Sequence, residues 1–564
     1  MSIISKVLYR INIAGGIIVE GKFNKSTKNS KKINEQTLFR ILKINEKSEF
    51  GKKFNFRSIK SVEQYKNQVP LGEYKDYESY ILRMVNGEEN VLTSDHIKYF
   101  GHTSGTTGKQ KLIPATKRSR RICLKYMAIL INKFSYNNFK EQWNYGKGLM
   151  IADIVTATYT KDKVPICSAT SGGMKGIKNV IGYLYTSPIE VMKIKDKEEA
   201  LYLHLLFALE EEKLLYIGGT FISSILDLFR VLEERYEELV QDIRNGSINK
   251  NLKIDDDIRK LLSRKISPNR ERAIKLQSEF QKGFKGIARR VWKSLAYIAT
   301  VTGGNFSIYN SSVNFYTDSI PIYSAAYGCT EAMIGINPYV DKIRYVIVPD
   351  TAYYEFIPVD FVGNKTFEIS ELELGKSYEV AVTNYAGLYR YKIGDVVRVV
   401  GFYNNSPEIE FLYRKNQILN MVAEKTNEDQ LTTAVKNTIR ILKLNLTDYT
   451  TAPDISVTPG RYIFYFEFWN DIPMSKIKTI EDILDNELRK SNLAYDRARS
   501  NRRLQSVKVE VLRANTFSKV KDFLFKKGVS KNQIKIPRVL IKNEEILSII
   551  SSNSLASKKY RNVI

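Results

Sequence analysis

The stretch from Phe100 to Pro114, FGHTSGTTGKQKLIP, sets Thr103, Ser104, Thr106 and Thr107 around Gly105 and Gly108, with Lys109 and Lys111 close behind. Hydroxyls, exposed backbone N–H groups and ammonium groups on a glycine-loosened loop suit a polyphosphate. The loop is not a Walker A motif. Thr103 stands where that pattern has its first glycine, and Gln110 where it has Ser or Thr. The dinucleotide fingerprint G-x-G-x-x-G is absent as well. A polar surface turn is the alternative for such a cluster, and two downstream motifs weigh against it.

The first of these is YGCTE, Tyr327 to Glu331, directly after the apolar run IPIYSAA. A strand that breaks into a glycine turn is expected to place these residues at the carboxyl edge of a sheet, where α/β folds bind ligands. Glu331 can hold Mg²⁺, which takes one or two carboxylates plus phosphate oxygens. Thr330 can bond a phosphate or carboxylate oxygen, and Tyr327 offers a face to an aromatic base. The second motif is GLYRYKIGD, ending at Asp395, ahead of the run VVRVVGF. An acid placed between a glycine and a strand can accept bonds from the vicinal hydroxyls of a ribose. A turn-forming Asp is the plainer reading of Asp395. Arg390 and Arg398 suit ion pairs as well as phosphate.

Composition limits the other chemistries. The three histidines, His96, His102 and His204, make a His-based metal site or a Ser-His-Asp triad improbable. The three cysteines, Cys123, Cys167 and Cys329, lie far apart with no C-x-x-C, so a reducing cytoplasm is expected rather than a disulfide framework. A formal charge of +27 invites a nucleic-acid reading. However, the basic residues run along the whole chain and no recognition module accompanies them, so Lys-rich genome bias is favoured and no nucleic-acid partner is expected. Local clusters, such as Lys117 to Arg121 and Lys519 to Lys535, are solvated faces or attractors of an anionic nucleotide. No membrane partner is expected either, because Lys6 and Arg10 interrupt the apolar N-terminus.

A chain of 564 residues is too long for one core. The first hundred residues look largely helical, with VPLGEYKDYESYI as a loop broken by Pro70 and Gly72. Helical periodicity runs over 118–134, 197–209, 223–243 and 271–284. KLLYIGGTFI, AYIATVTGGNF and IPIYSAAYG read as strands, and this alternation predicts an α/β domain with a mainly parallel sheet. From Arg344 to Glu410 short β-rich runs predict a β-subdomain. Beyond it, helix, strand, helix and strand at 427–442, 462–469, 480–488 and 507–512 outline a small α+β domain. The expected division is 1–415, 416–545 and a tail from 546 to 564, frayed over its last residues, SSNSLASKKYRNVI.

Taken together, TSGTTGKQK, YGCTE and YRYKIGD resemble the phosphate-loop, nucleotide-loop and ribose-aspartate motifs of the adenylate-forming acyl-CoA synthetase superfamily. LYIGGTF, VTGGNFSIY, GLYRYKIGDVVRVVGFYNNSPEIEFLYRKNQ, SVTPGRYIFYFE and GVSKNQIKIPR narrow it to one branch, the auxin-responsive Gretchen Hagen acyl-acid amido synthetases. The likeness runs from about Phe39 to Arg538. It implies a large N-terminal α/β domain with a β-subdomain and a small mobile C-terminal domain. It further implies that Ser104, Thr106, Thr107 and Lys109 grip the phosphates of ATP, that Gly303 and Gly304 lie on the adenine side, and that Tyr327 lies beside the base. Thr330 would then touch the acyl-phosphate, Glu331 the Mg²⁺ and Asp395 the ribose. Lys535 matches the family's mobile C-terminal lysine, which reaches the α-phosphate. The implied activity is adenylation of a carboxylic acid with release of pyrophosphate, then acyl transfer to an amine, in particular an amino acid. A thiol acceptor and a non-catalytic basic binder are the alternatives. YGCTE has Cys329 and Thr330 where plant members more often show two serines, and the segments expected to shape the acyl pocket match only generically.

Overall fold

The computed structural model describes residues 3–102, 111–303, 306, 309–359, 365–415, 418–422, 424–527, 529, 534–541 and 543–555. The chain opens with helices Ile3–Lys28, Ser30–Asn45, Glu49–Lys53, Val62–Gln68 and Tyr74–Val85. The last of these replaces part of the loop expected at VPLGEYKDYESYI. Its breakers, Pro70 and Gly72, stop short of Glu73, which forms a capping box with Asp76: the Glu73 N–H donates to Asp76 Oδ2 at 2.8 Å. Tyr77, Ile81 and Met84 then repeat on one buried face.

The expected parallel sheet is present. Its four strands run Gly148–Ile151, Tyr216–Phe221, Tyr297–Val301 and Ile322–Tyr323 in spatial order, every pair parallel. Helix Lys197–Leu209 is buried nearly all round and packs with helix Ile222–Asn245. The second helix ends at Gly246, whose φ of +60° is the left-handed cap that glycine adopts most readily. The helix expected over 118–134 spans Lys117–Cys123, widens into a π-helical stretch, Leu124–Leu130, and resumes as Ile131–Asn138. A second, mixed sheet of four strands carries Ile97–His102 between Leu112–Thr116 and Pro165–Cys167.

The β-subdomain is one antiparallel sheet of seven strands, larger than the sequence suggests because Ala326–Gly328 and Met333–Ile336 join its edge. Beyond it, strands Leu446–Asp454, Arg461–Phe468 and Lys508–Val511 form a three-stranded sheet. Helices Glu428–Leu442 and Ile477–Ser491 pack with it around a separate core of residues such as Leu431, Phe464 and Leu484. Part of the expected tail is structured. Helix Glu544–Ser552 buries Ile546 and Ile550 against Val520 and Leu540, an apolar pair four residues apart that composition alone does not flag. Among the described residues, no helix is long and apolar enough to cross a membrane.

Candidate functional site

The carboxyl ends of the four parallel strands lie on one edge. The strand Tyr297–Val301 leaves through Thr302 into Gly303, whose φ is +96° and whose missing Cβ would lie 3.1 Å from Ile343 Cγ2. The positive φ favours glycine there, and an added Cβ would crowd Ile343. Gly304 lies outside the described residues. At the same edge the Phe221 and Phe306 rings stack at 4.8 Å and 10°. Lys535 reaches over this pair from the C-terminal unit, its Nζ 4.4 Å from one ring centroid and 5.0 Å from the other. Lys535 is exposed as a residue and has no ion-pair partner among the described residues. Desolvation by the surrounding walls, with Arg414 adding, pushes its pKa down to about 8. Such a cation on an aromatic shelf is poised for an anionic ligand.

The two downstream motifs meet directly. Asp395 is buried, with Oδ2 accepting from the Tyr327 hydroxyl at 2.7 Å and Oδ1 from Arg414 Nε at 2.7 Å. Burial, with the carboxylate beside it, holds the Tyr327 phenol well above its usual pKa, so it stays a donor. Arg414 is raised in turn by Asp395, with Glu331 adding. Two expectations change here. Asp395 lies inside strand Tyr391–Tyr403 rather than in a turn ahead of it. Tyr327 and Gly328 belong to an edge strand of the antiparallel sheet, not to the loop that ends a parallel strand. The chain leaves the parallel sheet at Tyr323 and crosses between sheets within two residues, so YGCTE lines their junction.

Thr330 packs on Gly101, where an added Cβ would lie 2.6 Å from Thr330 Cγ2. Gly101 is the next-to-last residue of its strand, and His102 pairs with Leu112 across the antiparallel ladder. The strand that leads into the hydroxyl-rich loop therefore passes beside Thr330. The loop's residues Ser104, Thr106, Thr107 and Lys109 lie outside the described residues. Glu331 has no ion-pair partner among the described residues, and its backbone carbonyl accepts from Asn384 Nδ2 at 2.7 Å. Arg390 and Arg398 are ion-pair residues, bonded to Glu355 and Glu410.

Sequence reasoning missed Arg414, Phe221 and a buried trio of Tyr309, Asp448 and Arg538. The signal for Arg414 was present. Counting outward from the two-residue turn Asn404–Asn405 puts Asp395 opposite Arg414, an oppositely charged cross-strand pair. Nothing local marks the trio, because its members lie far apart in the chain.

Comparison with known proteins settles the family. Residues 19–322 match the GH3 family N-terminal domain, 345–414 the GH3 family central domain and 429–544 the GH3 family C-terminal domain. The chain belongs to the GH3 family. This GH3 protein is 32% identical over 567 residues to a 4-substituted benzoates-glutamate ligase of Arabidopsis thaliana, covering 93% of this chain and 95% of the relative. To a jasmonoyl-L-amino acid synthetase of Oryza sativa subsp. japonica it is 29% identical, covering 94% and 96%. Among solved structures, a GH3.15 acyl acid amido synthetase superposes with a TM-score of 0.85 at 28% identity, covering 94% of this chain and 95% of that one. A 2-hydroxyisobutyryl-CoA ligase in complex with 2-HIB-AMP shares the fold, with a TM-score of 0.56 at 11% identity over 92% of this chain and 91% of its own. The GH3 chain is thus an amide-forming ligase of the acyl-acid amido synthetase class on an adenylate-forming fold, and that fold implies use of ATP.

Proposed function

We propose that this GH3 protein adenylates a small carboxylic acid with Mg-ATP and transfers the acyl group to the amine of an amino acid. The observation that carries this reading is the placement of Lys535. It stands on the Phe221–Phe306 shelf without an anionic partner among the described residues, close enough to Asp395 for the two charges to interact. A charge so placed suits a phosphate, and Asp395, with two bonds accepted, keeps lone pairs for ribose hydroxyls.

In the first half-reaction a carboxylate oxygen attacks the α-phosphorus, and the bond to pyrophosphate breaks. The nucleophile is already ionised, so no general base is needed. The work is positioning and stabilisation of charge on the transferring oxygens. Lys535 supplies that charge at the α-phosphate. Ser104, Thr106, Thr107 and Lys109 hold the departing phosphates, Gly303 and Gly304 give the base room, and Tyr327 lies against it. Asp395 fixes the ribose, and Thr330 bonds the acyl-phosphate. Glu331 is the residue that would hold Mg²⁺, which needs only one or two protein carboxylates beside phosphate oxygens and supplies neutralising charge. In the second half-reaction the amine attacks the acyl carbon, AMP leaves and the amine loses a proton. The division at 415/416 separates the nucleotide-binding unit from the unit that delivers the lysine. A cytoplasmic setting belongs to the same reading, consistent with three unpaired cysteines.

The test is ATP-dependent pyrophosphate release across a panel of acids, with hydroxylamine as trap. Release and hydroxamate are expected with at least one acid, and amino acids should outcompete coenzyme A as acceptor. No pyrophosphate and no hydroxamate with any acid would sink the reading.

A further inference from the structure

Three residues from Lys535 stands Arg538, whose guanidinium is buried against Asp448 in a side-chain ion pair exposed by only 4% and 3%. Arg538 also donates to the Tyr449 carbonyl, and its guanidinium lies 4.6 Å over the Tyr449 ring. The backbone around it is pinned to strand Leu446–Asp454. Thr451 N–H donates to the Arg538 carbonyl at 2.9 Å, Leu540 N–H to the Thr451 carbonyl at 2.8 Å, and the Thr450 hydroxyl to the Pro537 carbonyl. All of these contacts are internal to the C-terminal unit.

Tyr309 is different. It belongs to the N-terminal unit, just ahead of helix Asn310–Thr317, and is itself buried. Its hydroxyl donates to Asp448 Oδ2 at 2.6 Å and accepts from Arg538 Nη2 at 3.1 Å. One phenol therefore closes a ring of polar contacts across the two units. If the C-terminal unit turns away, the Asp448–Arg538 pair travels with it intact, and Tyr309 alone loses its partners. Lysine side chains are long and mobile, so an ammonium delivered by a separate unit needs such a fixed reference.

We propose that Tyr309, through Asp448 and Arg538, is the positioning residue that registers Lys535 over the nucleotide site for adenylation. The inference rests on the role given to Lys535 above. Tyr309 touches no reacting atom. At the periphery Lys521 bonds Asp227 at 3.3 Å and Arg230 lies 4.8 Å over Trp469, contacts that hold the units together without fixing the lysine.

The experiment compares Tyr309→Phe, which keeps the ring and removes the hydroxyl, with Lys535→Ala in the full chain. With a reactive acid in hand, Tyr309→Phe should slow pyrophosphate release about tenfold, as expected for loss of a hydrogen bond to a charged group. The KM for ATP should shift less than about twofold, because the hydroxyl does not touch ATP. Aminolysis of added acyl-adenylate should keep its rate, and the thermal midpoint should show that the variant is folded. Equal slowing of both half-reactions, or slowing of neither, overturns the positioning role while leaving Lys535 in place if its alanine variant fails to adenylate. Normal adenylation by Lys535→Ala overturns the lysine's role and this inference with it.

Discussion

The Tyr327 hydroxyl donates to Asp395 Oδ2 at 2.7 Å, so two motifs separated by 68 positions share one buried carboxylate. Arg414 binds the other oxygen of the same group. The carboxylate is held in one orientation from both sides, which suits the ribose contact proposed for Asp395.

Asp395→Asn tests this arrangement. The amide can accept from only one side, and its NH₂ group faces a donor on the other. Loss of a charge-assisted hydrogen bond costs about 1.5–3 kcal/mol, so ATP affinity should fall at least about tenfold. Isothermal titration with ATP decides it, and an unchanged dissociation constant would remove Asp395 from the ribose role.

Arg390 was open between a phosphate ligand and an ion pair, and its surroundings favour the second. Its side chain is 6% exposed and Glu355 is 1% exposed. The guanidinium also donates to the Lys66 and Val69 carbonyls, tying an early helix to the β-subdomain. Arg390→Met should cost about 3–5 kcal/mol, the usual penalty for leaving a buried charge unpaired. Adding Glu355→Leu should recover part of that loss. Denaturant midpoints for the single and double variants check both statements, and a single variant as stable as the parent would show that the pair carries no structural load.

Much of this was legible in the sequence, for local reasons. Helix Ile222–Asn245 and its stop at Gly246 follow from apolar periodicity and glycine punctuation over short spans. The join between Tyr327 and Asp395 was not legible, because the expectation for YGCTE followed the strand before it. Gly328 and Met333 instead pair in a tight antiparallel turn onto another sheet. Sheet membership is set by long-range pairing, which periodicity does not report. The Tyr309–Asp448–Arg538 trio was hidden for the same reason. Its residues are ordinary in their own segments: Asp448 and Arg538 meet through the fold of the C-terminal unit, and Tyr309 joins them only where the two units touch.

Gly101→Ala is expected to disturb Thr330 specifically. An added methyl would lie 2.6 Å from Thr330 Cγ2, well inside the usual separation of about 3.5–4 Å between carbons. Either Thr330 turns away or the strand that leads into the hydroxyl-rich loop shifts. Adenylation should drop about tenfold or more, in keeping with the sensitivity of reaction to ångström displacements. Adding Thr330→Ser removes the offending methyl and keeps the hydroxyl, so activity should return in the double variant. If it does not, the lesion lies in the strand rather than in the Thr330 contact.

The dependence of activity on pH turns on Lys535. Its pKa near 8, against an ordinary 10.5, means that the folded chain sheds this proton earlier than the unfolded chain. Between those values the unfolded chain binds more protons, so the arrangement that seats the lysine in the cleft gains stability as pH rises. Activity moves the other way. Only the ammonium form can neutralise charge at the α-phosphate, so adenylation should fall by about tenfold per pH unit above the midpoint. The profile of kcat/KM for ATP reports the free enzyme and should bend near 8, whereas the kcat profile should bend higher, because bound phosphates favour the charged lysine. Any residual adenylation by a Lys535→Ala variant should lack this alkaline limb. Coincident midpoints for kcat and kcat/KM would mean that the phosphates do not approach the ammonium.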